Sequence, residues 1–387
     1  MRFSERSGFD LTPNRLAQLA QQKRRAGAEV LDLTLSNPTE AGLFTPPNLL
    51  SGLADPRGLR YEPDPRGLLR AREAVASDFA RRGFAVPAER IVLTASTSEA
   101  YGFLFKLLCD PDDIVMVPRP SYPLFEFLAR LENVRTAFYD LDHDGEWHVS
   151  VEKLAAAIPE RARAIIVVNP NNPTGHFLKR SEAAAIEALC AERALALVSD
   201  EVFADYAFGP DPRRVVSLAR DGPALGFALG GLSKSCALPQ LKLAWIAVTG
   251  PPALRETALG RLEIIADSYL SVATPIQHAA AGLLDQLPAL QAPVRARLET
   301  NRAALERALA GSAITSLGSE GGWCAVLRVP RTVPEEDRVL ELLERHGLLV
   351  HPGFFFDFPT EAFLVLSLLP TPKTFARGVS LLVKNVK

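Results

Sequence analysis

Cysteine is scarce in this chain, and what there is does not pair. The four cysteines (Cys109, Cys190, Cys236, Cys324) lie far apart and no CxxC occurs among the 387 residues. That excludes a disulfide framework and the paired-thiol zinc sites, and fits a reducing compartment. An excess of charge is also lacking. The 43 basic and 45 acidic residues leave a formal net charge of −2, which offers no field to nucleic acid or to an anionic membrane. No apolar stretch approaches the ~20 residues of a spanning helix, and the opening MRFSERSGFDLTPNR has no apolar centre of leader length. We therefore expect a cytoplasmic protein with neither nucleic acid nor membrane as partner. Internal repeats and low-complexity segments are absent. The 30 prolines are scattered between apolar runs and mark defined turns.

What is present is a rhythm of short apolar runs. IVLT (91–94), IVMV (114–117), AIIVV (164–168), ALALVS (194–199), LGFAL (225–229) and LAWIAV (243–248) alternate with helical segments. These runs are apolar throughout, the signature of strands buried on both faces in a mostly parallel sheet covered by helices. Before them we expect a helix over 11–30, a short strand with Leu31, Leu33 and Leu35 ended at Asn37-Pro38, an irregular crossing over 45–64, and a helix over 67–82. After residue 250 the pattern is mainly helical through Arg307. A strand follows near Trp323–Val329, then a helix Glu335–His346 with Gly347 as its cap, strands at 348–350 and 363–368, and a final helix. The expected fold is α/β: a mostly parallel, seven-stranded type of sheet in a large domain over 46–285, and a smaller α+β domain over 286–387. The N-terminal segment 1–45 is expected to pack with the small domain.

Ligands of such sheets sit beyond the carboxyl ends of the strands, so the residues after each run carry the chemistry. After IVLT, Ser96, Thr97 and Ser98 open a helix, where free N–H groups seat a phosphate or the hydroxyls merely cap. After IVMV, Tyr122 stands between prolines, placed to stack on a flat ring or to pack on the surface. After AIIVV comes Asn169-Pro170-Asn171-Asn172-Pro173-Thr174-Gly175, dense in turn residues, which either only turns the chain or aims an amide into a site. After ALALVS comes Asp200. A carboxylate at the end of a doubly buried strand needs a partner, either a protonated ring nitrogen or an arginine. After LGFAL comes GGLSKSCALPQLK, where Lys234 sits on a turn between two buried strands. Desolvation and a cationic neighbour such as Lys242 would lower its pKa and free the neutral amine; a solvated loop lysine is the alternative.

In this order and spacing, TASTSEA, PRPSYP, NPNNPTG, SDEVF and SK–x7–K resemble the class I/II aminotransferases, fold-type-I pyridoxal-phosphate enzymes. Outer matches are LSNPT at Asn37, YEPDPRG at Tyr61, GGW at 321–323 and HPG at 351–353. The resemblance covers nearly the whole chain. It implies pyridoxal 5'-phosphate held as a Schiff base on Lys234, which then moves the substrate proton. It also implies Asp200 on the pyridinium nitrogen, Asn172 on the phenolic oxygen and Tyr122 on the ring. Ser96, Thr97, Ser98, Ser233 and Lys242 would surround the phosphate. Tyr61 would reach the phosphate of a neighbouring subunit, which implies a homodimer with shared sites. Asn37 would contribute to substrate binding.

Four positions depart from the family pattern. Phe203 stands where a tyrosine usually donates to the phenolic oxygen. Lys242 stands for the phosphate-binding arginine, and Gly231 for a serine or threonine. Val365, two before Ser367, stands where an arginine clamps the substrate carboxylate. Arg119 and Arg328 are the conceivable substitutes. The expected activity is transfer of an amino group from an amino acid or amine to a keto acid. A β-lyase or decarboxylase on the same cofactor is the rival, and a cofactor-bound regulatory protein the third reading.

Overall fold

The computed structural model describes residues 1–43 and 45–386. Phe44 and Lys387, which fall inside the expected N-terminal and C-terminal units, lie outside the described residues. In chain order the strands are β1 (Leu31–Asp32), β2 (Ile91–Thr94), β3 (Ile114–Arg119), β4 (Arg135–His143), β5 (Trp147–Val149), β6 (Ala162–Val168), β7 (Ala196–Asp200), β8 (Gly226–Gly231), β9 (Ala244–Thr249), β10 (Thr315–Leu317), β11 (Cys324–Arg328), β12 (Leu348–Leu349), β13 (His351–Pro352) and β14 (Phe363–Ser367).

All six apolar runs are strands of one eight-stranded sheet, ordered β2-β9-β8-β7-β6-β3-β4-β5. The pairs β8·β7, β7·β6, β6·β3 and β3·β4 are parallel, while β9 opposes both its neighbours and β5 opposes β4. The sheet thus exceeds the expected seven-strand type by one. Its outer strands β4 and β5 escape a search for apolar runs. RTAFYDLDH carries charge at four of its nine positions if His143 is counted, and it is mostly half-buried. The central strands are buried along nearly their whole length because helices cover both faces. Helix Thr97–Leu108 packs Leu104 and Phe105 against Val92, Val115 and Ile246 on one side. Helix Arg180–Glu192 sets Ile186 and Cys190 against Ile165 and Leu197 on the other.

A second sheet, β10-β11-β14-β13, is antiparallel throughout. Its two faces have different partners because side chains alternate along a strand. Ala325, Leu327, Leu364 and Leu366 join the core formed with helices Leu287–Leu309, Glu335–His346 and Pro372–Asn385. Val326 and Val365 instead join Met116, Ile165 and Leu197 of the large sheet. The N-terminal segment closes on this unit: β1 pairs in parallel with β12, Leu31 opposite Leu348 and Asp32 opposite Leu349. The turn into β12 needs Gly347. Its φ is +62°, and a Cβ there would lie 2.7 Å from the Glu29 carbonyl oxygen.

Two elements are shorter than their patterns. The first helix runs Arg15–Arg25, because the Asn14 side chain caps it by accepting from the Ala17 N–H at 3.1 Å. The alternation Leu31–Leu35 yields a two-residue strand. Beyond it the chain changes partner: Leu33 N–H donates to Leu349 O at 2.9 Å, while Leu33 O accepts from Ser367 N–H at 2.7 Å.

Candidate active site

The strand directions bring most of the predicted residues to one edge of the sheet. Strands β3, β6, β7 and β8 run in parallel, and β2 runs with them because it opposes β9, which opposes β8. The residues that follow these five strands, Ser96–Ser98, Tyr122, Asn172, Asp200 and Ser233–Lys234, therefore share an edge. Lys242 precedes β9, which enters the sheet from that same edge. The connections from β3 and β6 leave in opposite directions, and a crevice opens at such a switch.

Asp200 ends β7 and is buried, with 9 % of its surface exposed. Its carboxylate accepts from the Tyr101 hydroxyl at Oδ2 (3.0 Å) and from the Val202 N–H at Oδ1 (3.2 Å). Burial pushes its pKa up to about 6, against the pull of the Val202 N–H, the Tyr101 hydroxyl and Lys234. Lys234 lies on the four-residue helix Leu232–Ser235 that follows β8. Its Nζ stands 5.0 Å from the centre of the Trp323 ring and 5.5 Å from that of Phe203. Burial lowers its pKa, with Cys324 and Asp200 in opposition. The two groups thus lie within each other's field. The lysine's backbone is pinned as well: the buried Tyr206 donates its hydroxyl to Lys234 O at 2.7 Å, and its ring packs on Trp323.

The loop after β6 divides its asparagines between two tasks. Asn169 donates to Val215 O and accepts from Leu178 N–H, and Asn171 accepts from the Thr174 backbone and hydroxyl. Those two hold the turn. Asn172 takes no part in it. Its Oδ1 faces the Cys324 thiol at 3.5 Å, which leaves the amide N–H groups free for another acceptor. Cys324 is also among the groups acting on Lys234, so β11 forms one wall of the cleft.

Ser96 is the N-cap of helix Thr97–Leu108, its Oγ accepting from the Glu99 N–H at 3.1 Å. The capping reading thus accounts for its hydroxyl. Thr97 and Ser98 occupy the first two helical positions, half-buried, where backbone N–H groups have no partner within the helix. Ser233 is half-buried on the lysine turn. Lys242 is exposed, with φ +53°, and Tyr122 is 50 % exposed. Gly231 has a steric reason: a Cβ there would lie 2.8 Å from the Ala244 Cβ on β9, so a serine or threonine does not fit.

Other positions fall elsewhere. Tyr61 is 74 % exposed and lines a groove with Pro63, Phe103 and Leu270 rather than the cleft of its own chain. Asn37 spends its side chain locally, accepting from Thr39 and donating to Glu40. Arg119 is committed to Asp140. Arg328 lies exposed over the Phe363 ring at the far end of β11 from Cys324. Val365 is 1 % exposed and shares the face of Val326, which is packed on the large sheet. Tyr101, Tyr206 and Cys324 were not singled out as site residues by sequence. Tyr101 shows only as an aromatic inside an apolar helix, so nothing in its spacing points to Asp200.

Does this donor set fit a pyridine cofactor bearing an aldehyde and a phosphate? A buried carboxylate whose hydrogen-bond donors are both neutral lacks a cationic partner of its own, and a protonated ring nitrogen supplies one. A desolvated amine within its field suits attack on an aldehyde. The residues fit.

The comparisons agree. The family described as aminotransferase class I and II matches residues 28–380, and the chain belongs to that family of pyridoxal-phosphate-dependent aminotransferases. Among similar proteins, an alanine aminotransferase of Mycobacterium tuberculosis is 28 % identical over 377 residues, covering 94 % of this chain and 86 % of that one. A glutamate-pyruvate aminotransferase of Escherichia coli is 27 % identical over 264 residues, 67 % of this chain and 64 % of its own. The solved alanine aminotransferase of Pyrococcus furiosus superposes with a TM-score of 0.88 at 22 % identity, covering 99 % of each chain.

Proposed function

We propose that this aminotransferase runs its reaction in the cleft between Lys234 and Asp200, and that it lacks the arginine clamp of an ordinary α-amino-acid pocket, the buried Val365 standing in its place. The observation that carries the reading is the buried Asp200 carboxylate, held by two neutral donors and lying in the field of a desolvated lysine. When bound, the cofactor supplies an electron sink joined to the substrate's reacting carbon. Lys234 would hold the cofactor covalently through Nζ and, once displaced by substrate, take the proton from that carbon as general base. Asp200 keeps a proton on the ring nitrogen. Asn172 donates through its free amide to the ring oxygen, and Tyr122 covers the ring face. Thr97, Ser98, Ser233 and Lys242 hold the phosphate together with the helix N-terminus that Ser96 caps. Asn37 would reach the substrate through its backbone N–H, since its side chain is spent on Thr39 and Glu40.

The division into 1–45, 46–285 and 286–387 belongs to the same proposal, with the cleft between the two larger units. So does a cytoplasmic homodimer in which Tyr61 reaches the partner's phosphate. What supports the dimer is the exposure of Leu59 (93 %), Tyr61 (74 %) and Ile264 (71 %) on one chain. The test of function is to add amino donor alone to the purified, cofactor-loaded protein. Conversion of the bound aldehyde to the amine form, with keto acid released and no ammonia, is expected. Release of ammonia with keto acid, or of carbon dioxide, would show the rival lyase or decarboxylase chemistry instead.

Val365→Arg tests the pocket. A guanidinium at this buried position has no carboxylate partner unless substrate brings one. If the guanidinium meets a substrate carboxylate, a charge-assisted hydrogen bond worth about 1.5–3 kcal/mol raises kcat/KM for common α-amino acids roughly tenfold or more, and the pocket merely lacked the clamp. A panel of amino acids and amines checks it. An unchanged profile means that the carboxylate is read elsewhere.

A further inference from the structure

We propose that Tyr101 is a positioning residue for Asp200: its hydroxyl fixes the carboxylate and keeps it ionised for the ring nitrogen. The inference rests on the role given to Asp200 above. The hydroxyl donates to Asp200 Oδ2 at 3.0 Å from helix Thr97–Leu108, on the far side of the chain in sequence. Tyr101 is 3 % exposed and Asp200 9 %, so water does not compete freely for this bond.

The ring is held in place. Phe125 meets it edge-on at 5.3 Å and an interplanar angle of 89°, and Phe105 lies 6.0 Å away. A hydroxyl on a clamped ring is pre-organised, so little freedom is lost when the bond forms. Phe125 also begins the helix that follows the Tyr122 turn. The same aromatic contact therefore ties the segment bearing the ring-stacking residue to the group that orders the acid.

The division of the carboxylate is informative. The Val202 N–H occupies Oδ1 from within the chain turn, and Tyr101 occupies Oδ2. Each donor favours the charged form, and together they offset the burial that pushes the acid toward neutrality. The titratable groups facing Asp200 are Tyr101 from the helix and Lys234 from the turn after β8. The flanking strands bring Val168 and Leu229, which do not titrate. Behind Tyr101 lies Tyr139, whose hydroxyl is already given to Ile166 O at 2.8 Å. Behind Lys234 lies Cys324. Burial, with Asp200 beside it, raises the Tyr101 pKa, so the phenol stays a donor.

The test is Tyr101→Phe, which removes one oxygen and keeps the ring contacts. In the cofactor-free protein, infrared difference spectra against Asp200→Asn isolate the Asp200 carboxyl across pH. Loss of a donor to the carboxylate should move its ionisation upward by about one pH unit. In the loaded enzyme kcat should fall roughly tenfold with KM for the amino donor nearly unchanged. The acid limb of the kcat/KM profile should move to higher pH by the same amount. A merely structural tyrosine would lower stability and leave both the carboxyl ionisation and the acid limb in place, and that result overturns the proposal. Should Tyr101→Phe fail to fold, 3-fluorotyrosine at position 101 serves. Its more acidic hydroxyl donates more strongly and should move the acid limb the other way; no movement overturns the proposal equally. If Asp200→Asn itself leaves turnover unchanged, the role of Asp200 fails first, which separates the two failures.

Discussion

Lys234→Ala should leave a folded protein that binds pyridoxal phosphate without a covalent link. The visible absorption of the lysine-bound cofactor should vanish, and turnover should fall by at least roughly 10³-fold, within the range of a lost general base. The loss is chemical because the fold does not lean on this side chain. The bond that anchors the turn runs from the Tyr206 hydroxyl to the lysine's backbone carbonyl, and alanine keeps that carbonyl. Alanine is also the best helix former. What disappears is an amine in a half-buried slot between Trp323 and Phe203, whose pKa burial already draws down. The measurement is an absorption spectrum beside a rate. A spectrum identical to the parent's would move the covalent link to another lysine and end this assignment of the site.

Asp200→Asn should separate stability from function. In the free protein burial pushes the pKa of the folded Asp200 up to about 6 from the ordinary carboxyl value of 3.8. The folded state therefore holds the proton more tightly than the unfolded one. Its contribution is fully present below pH ~4 and is lost as pH rises through about 6. Above that, ionised Asp200 costs the cofactor-free fold about 3 kcal/mol, taking roughly two units at 1.36 kcal/mol each. Asparagine has nearly the same shape and no charge to bury. The cofactor-free variant should accordingly be more stable than the parent at pH 8, with the gap closing toward pH 4 in denaturant titrations. Turnover should move the opposite way, falling by roughly 10²–10³-fold, the scale of a lost electrostatic partner in a buried site. Cofactor content should change far less than rate. Equal stability at pH 8 would mean that the carboxylate is not strained by burial. Equal turnover would mean that the ring nitrogen is not its partner.

How much of this could be read beforehand follows from what each feature depends on. Doubly buried strands announce themselves because burial on both faces demands an unbroken apolar run, as in IVLT and LAWIAV. Strand β4 does not, since RTAFYDLDH lies near the sheet margin with water in reach of its arginine and aspartates. Lys234, Asp200 and Asn172 were legible because each follows such a run, and the strand directions then carry them to one edge. Contacts between distant segments were not legible. Tyr101 meets Asp200 from 99 residues away, and Cys324 meets Asn172 from 152; nothing local marks either member. Ser96 was legible as a helix opener but not as to which hydroxyl caps. Of the two arginines offered in place of a carboxylate clamp, Arg119 is bound to Asp140 and Arg328 lies at the wrong end of its strand. Ion pairs and strand length were both outside what a motif can tell.

The pairing of β1 with β12 has a bearing on how the chain is made. Leu31 and Asp32 leave the ribosome 317 residues ahead of their strand partners Leu348 and Leu349 (348 minus 31). At about 5–20 residues per second, the amino-terminal segment waits for roughly a quarter of a minute to a minute with its backbone unpaired, while the strands of the large sheet already have one another. Closure of the smaller unit thus waits until residue 348 has been made, and a chain that stops short of it would leave residues 31 and 32 with no strand to pair with.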